Sequence, residues 1–215
     1  MTAAGPVVTP DPPVPFEPLV IEMPAGTVMR RLHENRFRTS EFNPGPKGAG
    51  RFHFFGTPHI PVLYTAASEE AAVAETLLRN IPMTGGHIPH GDYENKVMAA
   101  LEIQRPVRLA SFLGTDLRAL RVGPEQLTTT PGANYPQTRK WAQAAHAAGF
   151  DGIAWMSRQD NSDRAYMFFG DRVLETDFGV VPGSGRLFAL GSDLDWLIDF
   201  CTPLHIEVLP PPIAP

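Results

Sequence analysis

Apolar residues recur along the chain in two periods, and the alternation between them marks out short strands and helices. The run IPVLYTAA (60–67) is rich in β-formers and bounded by prolines, the pattern of a buried strand. Ser68 follows in the position of a helix N-cap. Glu69 and Glu70 suit the positive end of the helix dipole, and residues 71–79 continue in good helix formers. Thr27 to His33 reads as a strand that sends Arg30 and Arg31 to opposite faces, so only one of them can point inward. KVMAALEIQ (96–104) and VRLASF (107–112) read as consecutive strands split at Pro106, and 116–122 as a short helix.

Further on, YPQTRKWAQAAHAAG (135–149) has proline near its start and Gly149 past its end. Trp141, Ala144, Ala145 and Ala148 share one stripe, which predicts an amphipathic helix with His146 off the stripe and in solvent. FDGIAWMS (150–157) reads as a core strand delivering Ser157 at its far end, and RAYMFF (164–169) returns through the polar turn RQDNSD. SDLDWLIDF (192–200) is a last helix capped by Ser192, with Leu194, Leu197 and Ile198 packing. LHIEVL (204–209) is a final strand. Strands and helices alternate irregularly, so the expected class is α/β in the broad sense (α+β): one domain with a mixed β-sheet and peripheral helices.

Three stretches lie outside this pattern. Residues 1–24 hold Pro6, Pro10, Pro12, Pro13, Pro15, Pro18 and Pro24, which predicts an irregular extended arm, and 210–215 (PPPIAP) repeats the composition as a tail; neither end is expected to carry chemistry. FNPGPKGAGRF (42–52) is a Gly/Pro-rich loop in which Gly45, Gly48 and Gly50 could bring amides near a phosphate. It lacks the GxxxxGK[ST] spacing, and a plain turn-rich loop is an equal reading. MTGGHIPHGDYEN (83–95) reads as a polar surface loop or lid. Its His87, His90 and Asp92 sit on no regular element, so no metal is expected.

Composition narrows the functional classes. With 215 residues, 43% of them hydrophobic, the chain can bury a full core. Eighteen basic against 23 acidic residues give a net charge of −5 without any dense Lys/Arg run, which argues against nucleic acid as a direct partner. Arg30, Arg31, Arg36, Arg38, Lys47 and Arg51 still form a local basic cluster that could grip a small anion, or that simply forms a solvated face. No segment has the length of a membrane span, and MTAAGPVVTP lacks the n- and h-regions of an export signal, so a cytoplasmic protein is expected. The single Cys201 sits among apolar residues and suits packing better than reactivity.

Candidate chemistry centres on Glu75. One helical turn from it lie Ala71, Ala72, Leu78 and Arg79, so its carboxylate leaves a largely apolar face. A buried carboxylate there needs a cationic partner or a catalytic purpose; the alternative is an edge position open to water. Ser157 beside a polar turn is by itself a cap or turn residue, and no GxSxG elbow makes it a nucleophile.

The step Gly50-Arg51-Phe52, the strand carrying Tyr64, Glu75 in AETL eleven residues on, AGFDGIAWMSR (148–158) and MRRLH (29–33) together resemble the RES-domain family, over Thr27 to Leu209. That resemblance implies a domain over 25–209 related to the ADP-ribosyltransferase fold. It further implies a toxin of the Xre–RES toxin–antitoxin kind, held by an Xre-family helix-turn-helix antitoxin, that destroys NAD. The implied reaction is phosphorolysis, with NAD as substrate and inorganic phosphate as co-substrate, giving ADP-ribose 1″-phosphate and nicotinamide without a metal.

By the same resemblance Glu75 holds a ribose hydroxyl and stabilises an oxocarbenium-like transition state. Arg31, matched through the Arg-x-His pattern, and Arg51 pair with pyrophosphate or acceptor phosphate. Tyr64 flanks the nicotinamide ring, and Ser157 hydrogen-bonds the ribose or nicotinamide. Two other readings stay open: an ADP-ribosyltransferase that modifies a host protein, and a non-catalytic module whose arginine cluster docks a protein. On the residues alone, Tyr64 can equally be a core aromatic and Arg51 a loop anchor.

Overall fold

Val62, Tyr64 and Ala66 point to one face of a mixed sheet while Leu63 and Thr65 point to the other, and this alternation organises the molecule. The computed structural model describes residues 7–45 and 50–212; Pro6, Lys47 and Gly48 lie outside them. In chain order the elements are β1 (Val20–Met23), β2 (Val28–Glu34), β3 (Val62–Ala66), α1 (Glu69–Thr76), β4 (Gly86–Ile88), α2 (His90–Tyr93), β5 (Lys96–Ile103) and β6 (Val107–Phe112). There follow α3 (Pro124–Leu127), α4 (Tyr135–Ala147), β7 (Gly152–Met156), β8 (Arg164–Phe169), β9 (Phe178–Val180), β10 (Arg186–Leu187), α5 (Ser192–Cys201) and β11 (Ile206–Val208).

The main sheet runs β1-β6-β7-β8-β3-β2-β5-β10, with β9 also on β5, and β4 and β11 form a separate parallel pair. Among the described residues, β6 and β7 are the only parallel pair of the main sheet. A parallel pair needs a crossover, and the helical segment holding α3 and α4 supplies it. Thus the strands at 96–103 and 107–112, consecutive in sequence, do not pair with each other.

The helices share one face of the sheet, in two apolar clusters. One gathers Trp141 and Ala145 of α4 with Phe112, Trp155, Phe52 and Val62; the other gathers Ala71 and Val73 of α1 with Leu197 of α5, Ala66 and Leu32. Tyr64 stands between Val62 and Ala66, where the clusters part. The opposite face buries Met29, Leu63, Leu101 and Phe168 under Phe42 of the loop after β2 and Phe178 of β9.

Several expectations are corrected. The helix after Ser68 ends at Thr76 with Leu77 as its C-cap, shorter than 71–79 suggested, because the chain turns there to meet the loop after β7. Residues 83–95 carry β4 and α2, and 116–122 is reduced to a 3-10 turn at Gly114–Arg118. The buried stripe of α4 is Tyr135, Thr138, Trp141, Ala142 and Ala145, leaving Ala148 exposed past the helix end. His146 bonds Asp171 Oδ2 at 2.8 Å and lies edge-on to Phe55 and Phe169 instead of standing free in solvent. Gly191, not Ser192, occupies the N-cap of α5, and Ile198 is 39% exposed. Cys201 is buried as expected, and burial pushes its thiol up to about 11.

The proline-rich arm is docked from residue 7 onward, and its end is not irregular, since Val20–Met23 pairs with β6 as β1. Proline removes amide donors, but the arm's carbonyls still accept: Trp141 Nε1–H donates to Pro10 O at 2.8 Å and Asn134 Nδ2 to Val7 O at 3.1 Å. Lys140 pairs with Asp11 at 2.7 Å, and Phe16 packs edge-on to Phe112 and Trp141 at 6.5 and 6.2 Å.

Candidate active site

The cleft is built first by α1. Ser68 Oγ accepts the Ala71 amide at 3.2 Å, closing the first turn, and Ala71, Ala72, Val73 and Ala74 are all buried. Small side chains let the helix approach the sheet closely, so Glu75 leaves it half-buried. Ser157 comes from the other side of the sheet's centre. One residue beyond β7 and sharing the face of Trp155, it is fully buried, and its Oγ–H donates to Glu75 Oε1 at 2.9 Å. The Arg158 amide donates to the same oxygen at 3.0 Å. Gln159 Nε2 then donates to Leu78 O at 3.0 Å and Ile81 O at 3.1 Å, fastening the turn after β7 to the end of α1. The Ser157 hydroxyl and the Arg158 amide thus converge on one oxygen of Glu75, Oε1.

Around this pair opens a cleft of about 250 Å³. Arg51 enters it from the loop before β3 and is 8% exposed. Its carbonyl takes the Thr138 hydroxyl, Nη2 donates to Thr130 O at 3.4 Å, and the guanidinium lies 5.8 Å from the Tyr135 ring centroid. The helix face of α4 therefore clamps the arginine at backbone and side chain. Burial lowers the Arg51 pKa, with Glu75 and Tyr135 opposing the shift. Its buried Nε has no partner among the described residues.

Tyr64 stands edge-on to Trp155 at 5.8 Å, and its hydroxyl meets His53 Nδ1 at 2.7 Å. Burial raises the Tyr64 pKa, against the pull of Arg79 and Arg51, so the phenol keeps its proton. His53 is pushed down to about 4 by burial, with Arg79 and Arg139 adding to the shift, so the imidazole is neutral at physiological pH. Arg79 and Arg158 line the same cleft, which makes it a cationic recess in a chain of net charge −5.

Of the five residues singled out in the sequence, Glu75, Arg51, Tyr64 and Ser157 come together and Arg31 does not. Arg31 shares the β2 face of Met29, which lies in the cluster on the far side of the sheet; its Nη1 donates to Thr39 O. Burial lowers its pKa to about 10, with Glu41 and Glu175 opposing. Arg30, on the α1 side, pairs with Glu69 at 3.7 Å, and Leu32 on that face reaches the cleft. The inward choice between the two arginines thus falls to strand phase, which pairing of Arg30 with Ala66 sets. Sequence reading missed His53, Tyr135, Arg79 and Arg158. Arg79 figures there only as a helix neighbour of Glu75, and His53 leaves a trace as a polar residue inside the apolar run FHFF.

This arrangement suits anion binding beside a fixed carboxylate. The RES domain profile matches residues 27–181, well over half of the chain. Comparison with curated proteins finds no match. Among solved structures, a chain of the M. tuberculosis MbcT–MbcA toxin–antitoxin complex superposes with a TM-score of 0.54 at 12% identity, covering 75% of this chain and 84% of that one. At that identity the likeness is one of fold. The matched range contains Arg51, Tyr64, Glu75 and Ser157 with the strands and helices that hold them, and the chain belongs to the RES-domain family.

Proposed function

We propose that this cleft breaks the nicotinamide–ribose bond of NAD and transfers the ADP-ribosyl group to inorganic phosphate. The observation that carries the reading is the Ser157–Glu75 bond, which immobilises a carboxylate through one oxygen beside clustered arginines. The Glu75 carboxylate accepts a ribose hydroxyl and faces the positive charge that grows on the ribose ring. The N–C1″ bond breaks with its electron pair passing to the ring nitrogen, which turns the pyridinium into neutral nicotinamide. A phosphate oxygen supplies the pair for the new C1″–O bond. Arg51, with Arg79 and Arg158, neutralises the pyrophosphate and the incoming phosphate. Tyr64 flanks the nicotinamide.

Family membership and the fold shared with a chain of a toxin–antitoxin complex support a further step: the protein is a toxin inhibited by an antitoxin that covers the cleft. We take that antitoxin to be an Xre-type helix-turn-helix protein on the resemblance to the RES family alone. The decisive test is mass spectrometry of NAD incubated with the pure protein at increasing phosphate. Expected is NAD loss that rises with phosphate and saturates, with ADP-ribose 1″-phosphate as product. ADP-ribose alone at saturating phosphate means a hydrolase, label carried from NAD onto a protein means a transferase, and intact NAD sinks the reading. Expression of the wild-type chain without a partner is expected to halt growth and deplete NAD.

A further inference from the structure

We propose that His53 is a positioning residue whose imidazole fixes the Tyr64 hydroxyl and ring against the substrate. This rests on the reading of the cleft as an NAD site. The geometry is specific. His53 Nδ1 and Tyr64 OH are 2.7 Å apart, their rings meet edge-on at 5.1 Å, and His53 in turn meets Phe54 edge-on at 4.5 Å. The imidazole lies directly over Gly50: a Cβ at that glycine would fall 1.8 Å from His53 Cε1, so the Gly50-Arg51 step leaves room for this ring and no side chain. Trp155 closes the other edge of Tyr64 at 5.8 Å. The tyrosine is thereby held at its ring and at its hydroxyl, at the point where the α1 and α4 clusters part.

Charge explains why histidine suits this place. Arg79 and Arg139 both act on the ring, and together with burial they keep it uncharged. A neutral imidazole adds no cation to a recess already lined by Arg51, Arg79 and Arg158. It offers Tyr64 one hydrogen-bond partner of fixed direction. Nicotinamide leaves without needing a proton from the protein, so the ring has no acid to supply in the proposed reaction. Its effect passes through the tyrosine.

The test is a double-mutant cycle on NAD consumption, with His53→Ala, His53→Asn, Tyr64→Phe and His53→Ala/Tyr64→Phe. Expected is a loss of about tenfold in kcat/KM for His53→Ala. The asparagine variant, whose Oδ1 takes the position of Nδ1, recovers most of it. In the Tyr64→Phe background His53→Ala costs nothing more. Equal losses from His53→Ala in both backgrounds, or no recovery in His53→Asn, overturn the positioning role while NAD chemistry stands. Wild-type protein that leaves NAD intact overturns the cleft reading itself. The contact is then judged without substrate, by the ring-nitrogen NMR shifts of His53: a change on Tyr64→Phe confirms the pair, and unchanged shifts overturn it. Should His53→Ala fail to fold, His53→Asn and Tyr64→Phe carry both measurements.

Discussion

Ser157 Oγ lies 2.9 Å from Glu75 Oε1, joining residues 82 apart in sequence across the seam between the end of β7 and α1. With the Arg158 amide on the same oxygen, the carboxylate is oriented before any ligand arrives. Glu75→Gln keeps an acceptor oxygen and the side-chain volume, so the protein is expected to fold with a melting temperature near wild type. NAD consumption falls by at least ~10²-fold, the scale of removing one electrostatic group from a site. Ser157→Ala leaves the Arg158 amide on Glu75 Oε1 and is expected to cost about tenfold. Turnover of Glu75→Gln near the wild-type rate would remove Glu75 from the reaction.

Arg51 and Arg31 should separate by assay. Arg51→Ala loses the side-chain contacts with Thr130 O and the Tyr135 ring, keeps the backbone bond from Thr138 and removes a cation from the cleft, so kcat/KM for NAD is expected to drop at least about tenfold. Arg31→Ala, behind the sheet, loses its bond to Thr39 O and is expected to lower stability by about 1–2 kcal/mol while the rate for the folded fraction changes little. Rate loss without loss of stability in Arg31→Ala would return that residue to the chemistry.

Removal of residues 1–18 takes away the acceptor for Trp141 Nε1–H and the edge contacts of Phe16 with Phe112 and Trp141. The truncated chain is expected to be less soluble and to melt well below the full chain. Trp141→Phe removes the N–H together with part of the fully buried indole, and is expected to cost about 2–3 kcal/mol in urea unfolding. A truncation that melts at the wild-type temperature would show the arm to be dispensable.

Stability should fall at both ends of the pH range. His53 is held below its ordinary 6.5, at about 4, so its contribution is complete above pH 6.5 and is lost as pH falls through 4. The effect is on the order of 2 kcal/mol and should shrink in His53→Asn. Cys201 is held above its ordinary 9.0, at about 11, so the unfolded chain ionises first and stability declines as pH rises from 9 towards 11. A thiol reagent at pH 8 is expected to spare Cys201 in the folded protein and to label it in urea. Rapid labelling of the native protein would show the thiol to be accessible.

Local chemistry made much of this protein legible in one dimension. The run 60–67, the N-cap Ser68 with its two glutamates and the apolar strands at 150–157 and 164–169 each carry a short-range reason to form, and each formed. Glu75 stood out because a carboxylate among Ala71, Ala72 and Leu78 conflicts with its own helix face. What decides the rest is contact between distant segments. Strand phase put Met29 and Arg31 on one face and Arg30 on the other, a matter of pairing with Ala66 that residue order cannot express. The arm's carbonyls found Trp141 only because β6, α4 and the arm converge, and Pro10 has no sequence neighbour that announces a donor. His53, Tyr135, Arg79 and Arg158 belong to the cleft for the same reason. Each gains its role from the residues it meets across the cleft.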